Sequence, residues 1–370
     1  MIRLFQVRHA VRLAPLFILA LAFLLPSNVS AQGPTPTNEE CLACHSNPTM
    51  VKQLPSGEPL SLYVDEMDFT SSVHGQQKLN CVQCHTNISG FPHPAFFAPD
   101  RRDVTLQMYT LCRQCHGDNY AKTLDSIHTK AIAGGDRNAA VCTDCHTSHA
   151  TTKADQPRSR IPQTCAQCHS TIYDDYAKSV HGSAVVNGGN ADVPTCIDCH
   201  GVHNIHDPTT AAFRLKSPEI CAKCHTDKTR MSKYKISTDV LNTYVSDFHG
   251  TTVSLFEKQS PDAPTNKPVC YDCHGIHNIK QINDPNSTVF RENLLKTCQR
   301  CHPNATTDAF AGSWMSHYRA SPDNFPLVYY VNLFYWIFIP VVIGAMVLFI
   351  LTDIYRRVRS FLARGREAKS

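Results

Sequence analysis

The chain has no cysteine to spare. Each of its 18 cysteines sits in a C-x-x-C-H pentapeptide, so no thiol is left over for a disulfide framework. A bridge between two cysteines three apart would close too small a loop to stabilise a fold appreciably. A surplus of one charge is missing too. Residues 32–320 carry 26 Lys and Arg against 28 Asp and Glu, and the formal net charge of +4 arises at the two ends. That balance excludes a nucleic-acid surface, which needs a clustered basic face. The run Lys228, Arg230, Lys233 and Lys235 reads as a solvated face. Long apolar runs are scarce as well, with one at 13–25 and one at 327–351.

The nine pentapeptides are CLACH 41–45, CVQCH 81–85, CRQCH 112–116, CTDCH 142–146, CAQCH 165–169, CIDCH 196–200, CAKCH 221–225, CYDCH 270–274 and CQRCH 298–302. C-x-x-C-H is the attachment sequence of c-type haem: the two thiols add to the vinyl groups and the histidine takes one axial face of the iron. Zinc ribbons and redox dithiols use C-x-x-C without needing a histidine behind it, so they leave nine histidines unexplained. Nine covalent haem c groups are expected. They are held by Cys41, Cys44, Cys81, Cys84, Cys112, Cys115, Cys142, Cys145, Cys165, Cys168, Cys196, Cys199, Cys221, Cys224, Cys270, Cys273, Cys298 and Cys301. His45, His85, His116, His146, His169, His200, His225, His274 and His302 supply one axial ligand each.

Nine haems among residues 32–320 leave roughly 32 residues per haem, too thin a layer to bury a large side-chain core. The fold class expected is mostly α and irregular, with short helices wrapped around stacked haems, little β, and one C-terminal transmembrane helix. The 23 prolines and 16 glycines agree with long irregular connections.

Residues 1–31 read as a signal peptide, with Arg3, Arg8 and Arg12, an apolar stretch from Leu13 to Leu25, and Val29-Ser30-Ala31 before the cleavage point. Residues 32–40 read as a linker. An internal repeat fills 41–320. Each repeat has a first motif, an isolated histidine, a second motif and a closing histidine; the third runs from CAQCH through YAKSVHG to CIDCH and His203. Four repeats and a half repeat follow one another. Over 172–181 the spacing of Ile172, Tyr176 and Val180 predicts one helix with Asp174 and Asp175 near its start. Residues 325–352 read as a membrane helix, since 324–352 hold no charge. The tail 353–370 carries Arg356, Arg357, Arg359, Arg364 and Arg366, which the positive-inside rule places in the cytoplasm, with the haems outside.

An iron has a second axial position. Nine distal ligands are expected from His74, His93, His128, His149, His181, His203, His249, His277 and His317. His206 is the spare, because His203 shares with His149 and His277 the place three after a motif histidine. Met67, Met108 and Met231 are read as packing residues rather than ligands. Asp144, Asp198 and Asp272, third in their motifs, are read as local hydrogen-bonding, capping or solvated groups. Iron with two histidines has no open position for substrate and suits electron transfer.

The C-x-D-C-H-G-x-H pattern at 196–203 and 270–277, with the His-Gly pairs upstream, resembles multihaem c-type cytochromes of the doubled C-x-x-C-H class. These include octahaem tetrathionate-reductase-like proteins and class III cytochrome c relatives. The resemblance implies a respiratory electron conduit. Its expected partners are a membrane redox subunit, such as a cytochrome b-type or iron–sulfur protein, a soluble or extracellular electron-transfer partner, and the lipid bilayer, with no nucleic acid. The alternative is a multihaem reductase of a small nitrogen or sulfur compound with one open haem; catalytic relatives often carry lysine in a motif, and no C-x-x-C-K occurs here.

Overall fold

The computed structural model describes residues 35–94, 96–307, 317–323 and 325–367, with side chains as far as 361. The signal-peptide segment lies outside the described residues, as do the side chains of Arg364 and Arg366. The described chain is mostly helical, 54%, and its strands form one antiparallel hairpin, Val51–Gln53 with Pro59–Ser61 in the register Val51↔Ser61. Two compact bodies are present. The first is Met1–Gln114 with Thr147–Thr151, the second Cys115–His146 with Thr152–Ser370.

The first helix of the first body, Asn38–His45, starts inside the stretch 32–40 read as linker. The reason is a capping box. Thr37 accepts from the Glu40 N–H at 3.3 Å, and Glu40 accepts from the Thr37 N–H at 2.8 Å, which satisfies two of the orphan donors of the first turn.

Short helices dominate both bodies, and the reason is visible in what they bury. Among the described residues only twelve apolar side chains other than proline are buried, far fewer than a chain this long would need to hold its helices by side-chain packing. One cluster of buried side chains among the described residues joins Leu215, Val253 and Val269, flanked by Phe256 and Tyr271.

The helix expected over 172–181 is two helices, Ser170–Ala177 and Val180–Val186. Ser179 divides them. Its extended backbone ends the first, and its hydroxyl accepts from the Gly182 N–H at 2.9 Å to start the second. Tyr176 is buried but Ile172 is 44% exposed, and Asp174 and Asp175 fall in the second half of their helix rather than its first turn.

The last helix is Pro326–Glu367, 42 residues, so it runs beyond 352 through the first basic residues of the tail. The part Pro326–Phe361 is long and apolar enough to cross a membrane by length and composition, and none of its most apolar window is buried.

Candidate functional site

Eight of the nine motifs take two local forms, while CRQCH 112–116 opens in the 3-10 turn Tyr109–Gln114. Second motifs are isolated single helical turns: Cys81–Cys84, Cys142–His146, Cys196–His200 and Cys270–His274. So short a helix is marginal alone. Its third residue holds it by accepting from the backbone N–H just before the motif: Gln83 from Asn80 at 2.6 Å, Asp144 from Val141 at 2.8 Å, Asp198 from Thr195 and Asp272 from Val269, both at 2.6 Å. The aspartates are caps, the role sequence left open between local hydrogen bonding, capping and solvation. First motifs instead end longer helices, as Cys41 and Cys44 do in Asn38–His45 and Cys221 and Cys224 in Ala211–His225.

Backbone glycines shape the exit. Gly201 and Gly275, directly after the motif histidine, both have φ +85°, a left-handed turn that costs other residues energy. In the motif 142–146 the same place is taken by Thr147 at φ +63°.

The isolated histidines share one device that sequence reading missed. His74, His128 and His181 are each the second residue of a short helix whose N-cap is a buried serine two positions earlier: Ser72, Ser126 and Ser179. Asp247 stands in the same place before His249. The signal was present as Ser-x-His at fixed offset. A glycine after the histidine lets the helix start approach the preceding helix end. A Cβ at Gly75, Gly182 or Gly250 would meet the carbonyl oxygens of Phe69, Tyr176 and Tyr244 at 2.0, 1.8 and 2.1 Å.

These elements bring motif histidines face to face with the isolated and closing ones. Ring centres are 6.2 Å apart for His45–His93, 6.3 Å for His85–His149, and 6.1 Å for His146–His203, His200–His277 and His274–His317. They are 6.2 Å apart for His128–His169, His181–His225 and His249–His302. A metal–nitrogen bond of about 2.0–2.1 Å on each side, plus about 1.1 Å from nitrogen to ring centre, gives about 6.3 Å for two imidazoles on one ion. The observed spacing is too wide for ring stacking and fits an iron between the rings.

The ring nitrogens agree. His45 Nδ1 donates to the Leu62 carbonyl at 2.6 Å and His93 Nδ1 to that of Pro94 at 3.1 Å. A carbonyl only accepts, so Nδ1 carries the proton and Nε2 keeps its lone pair. His317 Nδ1 lies 3.2 Å from the Thr243 hydroxyl, which also reaches the Asp239 carbonyl at 2.9 Å. Burial, then the facing histidines, pushes His181 and His274 down to about 4, so both are neutral, as a ligand must be.

His206 is exposed and in none of these ring pairs. His74 lies in the first body and His116 in the second, beside a cavity of about 390 Å³ lined by Cys115, Gly117, Asp118, Asn119 and Lys122. Met67 is 78% exposed and Met231 is buried. Among the described residues no three His, Cys, Asp or Glu converge as a zinc ribbon requires.

Two arginines, unmarked by sequence reading, tie first-motif segments to second motifs. Arg158 reaches Asp198 at 2.5 Å, and Arg214 reaches Asp272 through both amino groups at 3.2 and 2.7 Å. Each stands seven before the first cysteine of its repeat. In both, Nε is buried without a protein partner, a donor that an acidic group such as a haem propionate would satisfy.

Residues 130–172 match the family model of the doubled CXXCH motif. The matched stretch holds CTDCH and CAQCH, the second motif of one repeat and the first of the next. The match supports the class of multihaem c-type cytochromes, electron-transfer proteins with covalently bound haem c. No solved structure matches the chain.

Proposed function

We propose that this chain is a membrane-anchored nine-haem c-type cytochrome. It carries electrons between a redox partner in the membrane and a soluble or extracellular partner. The observation that carries the reading is the eightfold recurrence of histidine rings 6.1–6.3 Å apart, each with a motif histidine on one side.

When bound, haem c supplies an iron that gains and loses one electron with little change of shape when both axial positions are histidine. The chain's residues do the rest. The paired cysteines of every motif would hold the ring covalently, and the motif histidine would be one ligand of its iron. His93, His149, His203, His277 and His317 would be the second ligands at the sites of His45, His85, His146, His200 and His274. His128, His181 and His249 would do so at those of His169, His225 and His302. His74 would be the remaining distal ligand. Serine caps and motif acids hold these side chains in place, so little reorganisation accompanies a change of charge.

The helix from Pro326 anchors the chain. Arg356, Arg357 and Arg359 lie past its apolar part, which orients the tail to the cytoplasm and the haem region to the other side. No histidine occurs in the helix, so a haem b must come from a partner subunit. The motif 298–302 and His317 precede the helix in sequence, and they are assigned to exchange with that membrane partner.

Electron paramagnetic resonance of the oxidised protein, with haem quantified on the same sample, tests this reading. Nine haems and low-spin signals alone are expected. A stoichiometric high-spin signal that shifts with nitrite, hydroxylamine or cyanide would replace the conduit with a reductase. Changing His317 to Ala should create one high-spin haem and slow reduction by quinol in membranes; unchanged reduction would show that the membrane partner docks elsewhere.

A further inference from the structure

We propose that Arg230 and the crossed rings of His181 and His225 set the haem site of Cys221 and Cys224 to a higher reduction potential than the two motifs that flank it in sequence, so that among these three an electron rests there. The proposal rests on the nine-haem, paired-histidine reading and gives one site within it a distinct role.

The basic run read from sequence as a solvated face is not uniform. Lys228, Lys233 and Lys235 are exposed, but Arg230 is half-buried. Its Nη1 donates to Cys224 Sγ at 2.8 Å; with haem attached, that atom is the thioether sulfur bonded to the ring. The local chain aims it. Asp227 accepts from the Arg230 N–H at 3.2 Å and starts the helix Lys228–Ser232, and Met231, only 5% exposed, pins that helix. Asp227 Oδ2 stands 4.0 Å from Arg230 Nε, farther than the sulfur from Nη1, so it offsets the guanidinium only in part.

A fixed cation so close disfavours the ferric state, which carries one more positive charge than the ferrous. The third motif residue adds to the contrast. It is Lys223 here but Asp198 and Asp272 in the flanking motifs. Each aspartate is paired with an arginine, which leaves those turns close to neutral.

The ring planes point the same way. His181 and His225 are crossed by 55°, whereas His200 and His277 are crossed by 25° and His274 and His317 by 23°. Near-parallel imidazoles donate into one iron d orbital and stabilise the ferric ion. Crossed rings spread that donation over two orbitals and stabilise it less. The angle is built by the chain. The Tyr176 hydroxyl donates to the Pro194 carbonyl at 2.8 Å, and Gly182 lets the helix of His181 stand against Tyr176. Tyr244 and Gly250 repeat the arrangement around His249, and His249 and His302 are crossed by 48°. Where Thr123 and Thr129 stand in place of tyrosine and glycine, His128 and His169 are crossed by 27°. In the transfer itself one electron leaves a ferrous neighbour, which becomes ferric, and reduces this site from ferric to ferrous; no bond forms or breaks and no proton moves.

A redox titration of the haem-loaded full chain, followed by electron paramagnetic resonance, is the test. His181→Ala, His277→Ala and His317→Ala each delete one low-spin signal and so identify the three sites in the unmutated spectrum. The His181-dependent signal should have the widest spread of g values of the three and vanish first on stepwise reduction. Arg230→Gln should move its ferric-to-ferrous balance about tenfold toward ferric, a midpoint about 59 mV lower, an effect already reduced by solvent screening of the partly exposed guanidinium. Arg230→Lys should recover part of the shift, and Lys228→Gln, in the same run, should cause none. Haem content measured on every sample shows that the variants are loaded. An unmoved midpoint in Arg230→Gln, or a His181-dependent signal reduced after either of the other two, overturns the proposal alone. A low-spin spectrum left intact by His181→Ala would refute the paired-histidine reading of this site, and the proposal with it.

Discussion

The third repeat and the second perform the same local task with different residues. In the third, Ser179 caps its helix through Gly182, Gly182 allows the close approach to Tyr176, Gly201 takes the left-handed turn, and Arg158 ties the two motifs. In the second, Ser126 accepts from the His128 N–H at 3.3 Å. Thr129 stands in the place of Gly182, Thr147 in that of Gly201, and Thr105 in that of Arg158. Yet His128 faces His169 across 6.2 Å, and His181 faces His225 across 6.2 Å as well. The register of serine, histidine and motif is what the site demands. Glycine and arginine supply tighter packing in the third repeat, which the second does without.

The largest break in this comparison is Gly182→Ala. Its Cβ would sit 1.8 Å from the Tyr176 carbonyl oxygen, a backbone atom, so the helix Val180–Val186 must shift. Overpacking costs about 1–3 kcal/mol, and a backbone clash falls at the upper end, about 3 kcal/mol. His181 moves with the helix, so one haem, that of Cys221 and Cys224, should also lose its low-spin signal. Thr129→Ala in the second repeat should do neither. Thermal unfolding and electron paramagnetic resonance of the two variants read the contrast.

Removing the arginine strut comes next. Arg214→Ala leaves Asp272 with its backbone cap but without a two-point partner, and both side chains are less than a third exposed. A loss of about 2 kcal/mol is expected from hydrogen bonds to a partly buried charge. Arg214→Lys should restore only part, since an ammonium lacks the fork. Denaturant unfolding of both variants checks this; equal stability for Lys and Arg would show that charge alone matters there.

A smaller effect follows for the caps. Ser179→Ala deletes a buried acceptor of the Gly182 N–H and should cost about 1–2 kcal/mol. Ser126→Ala, which loses a longer bond, should cost less. Similar losses in denaturant melts would mean the two caps are equivalent.

What sequence made legible follows from what is covalent. The CXXCH motifs can be read because covalent attachment of haem fixes residues at adjacent positions. The ring pairings could not be read, because they join histidines of neighbouring repeats. His149 faces His85, His203 faces His146 and His277 faces His200, whereas His93 faces His45 in its own repeat. The break at Ser179 was hidden because Ile172, Tyr176 and Val180 keep helical spacing across it. Apolar periodicity says nothing about an N-cap, and with the rings as packing surface a stripe of side chains is weak evidence for one continuous helix. The arginine struts link residues 40 and 58 positions apart, a separation no local pattern reports.

The smallest effect has the opposite sign. Thr147 holds φ +63° where Gly201 and Gly275 hold +85°. A β-branched residue in the left-handed region costs about 1–2 kcal/mol. Exchanging it for glycine removes that strain and returns about 0.5–1 kcal/mol through the freer unfolded chain. Thr147→Gly should therefore stabilise the protein by about 0.5–1 kcal/mol, seen as a higher midpoint in denaturant with an unchanged slope. The reverse exchange, Gly201→Thr, sets a Cβ 3.2 Å from Asn204 Oδ1 as well as imposing the strained angle, and should destabilise. If Thr147→Gly lowers stability instead, the threonine hydroxyl or methyl group makes a contact worth more than the strain, and the second repeat is specialised at this turn rather than merely less tightly packed.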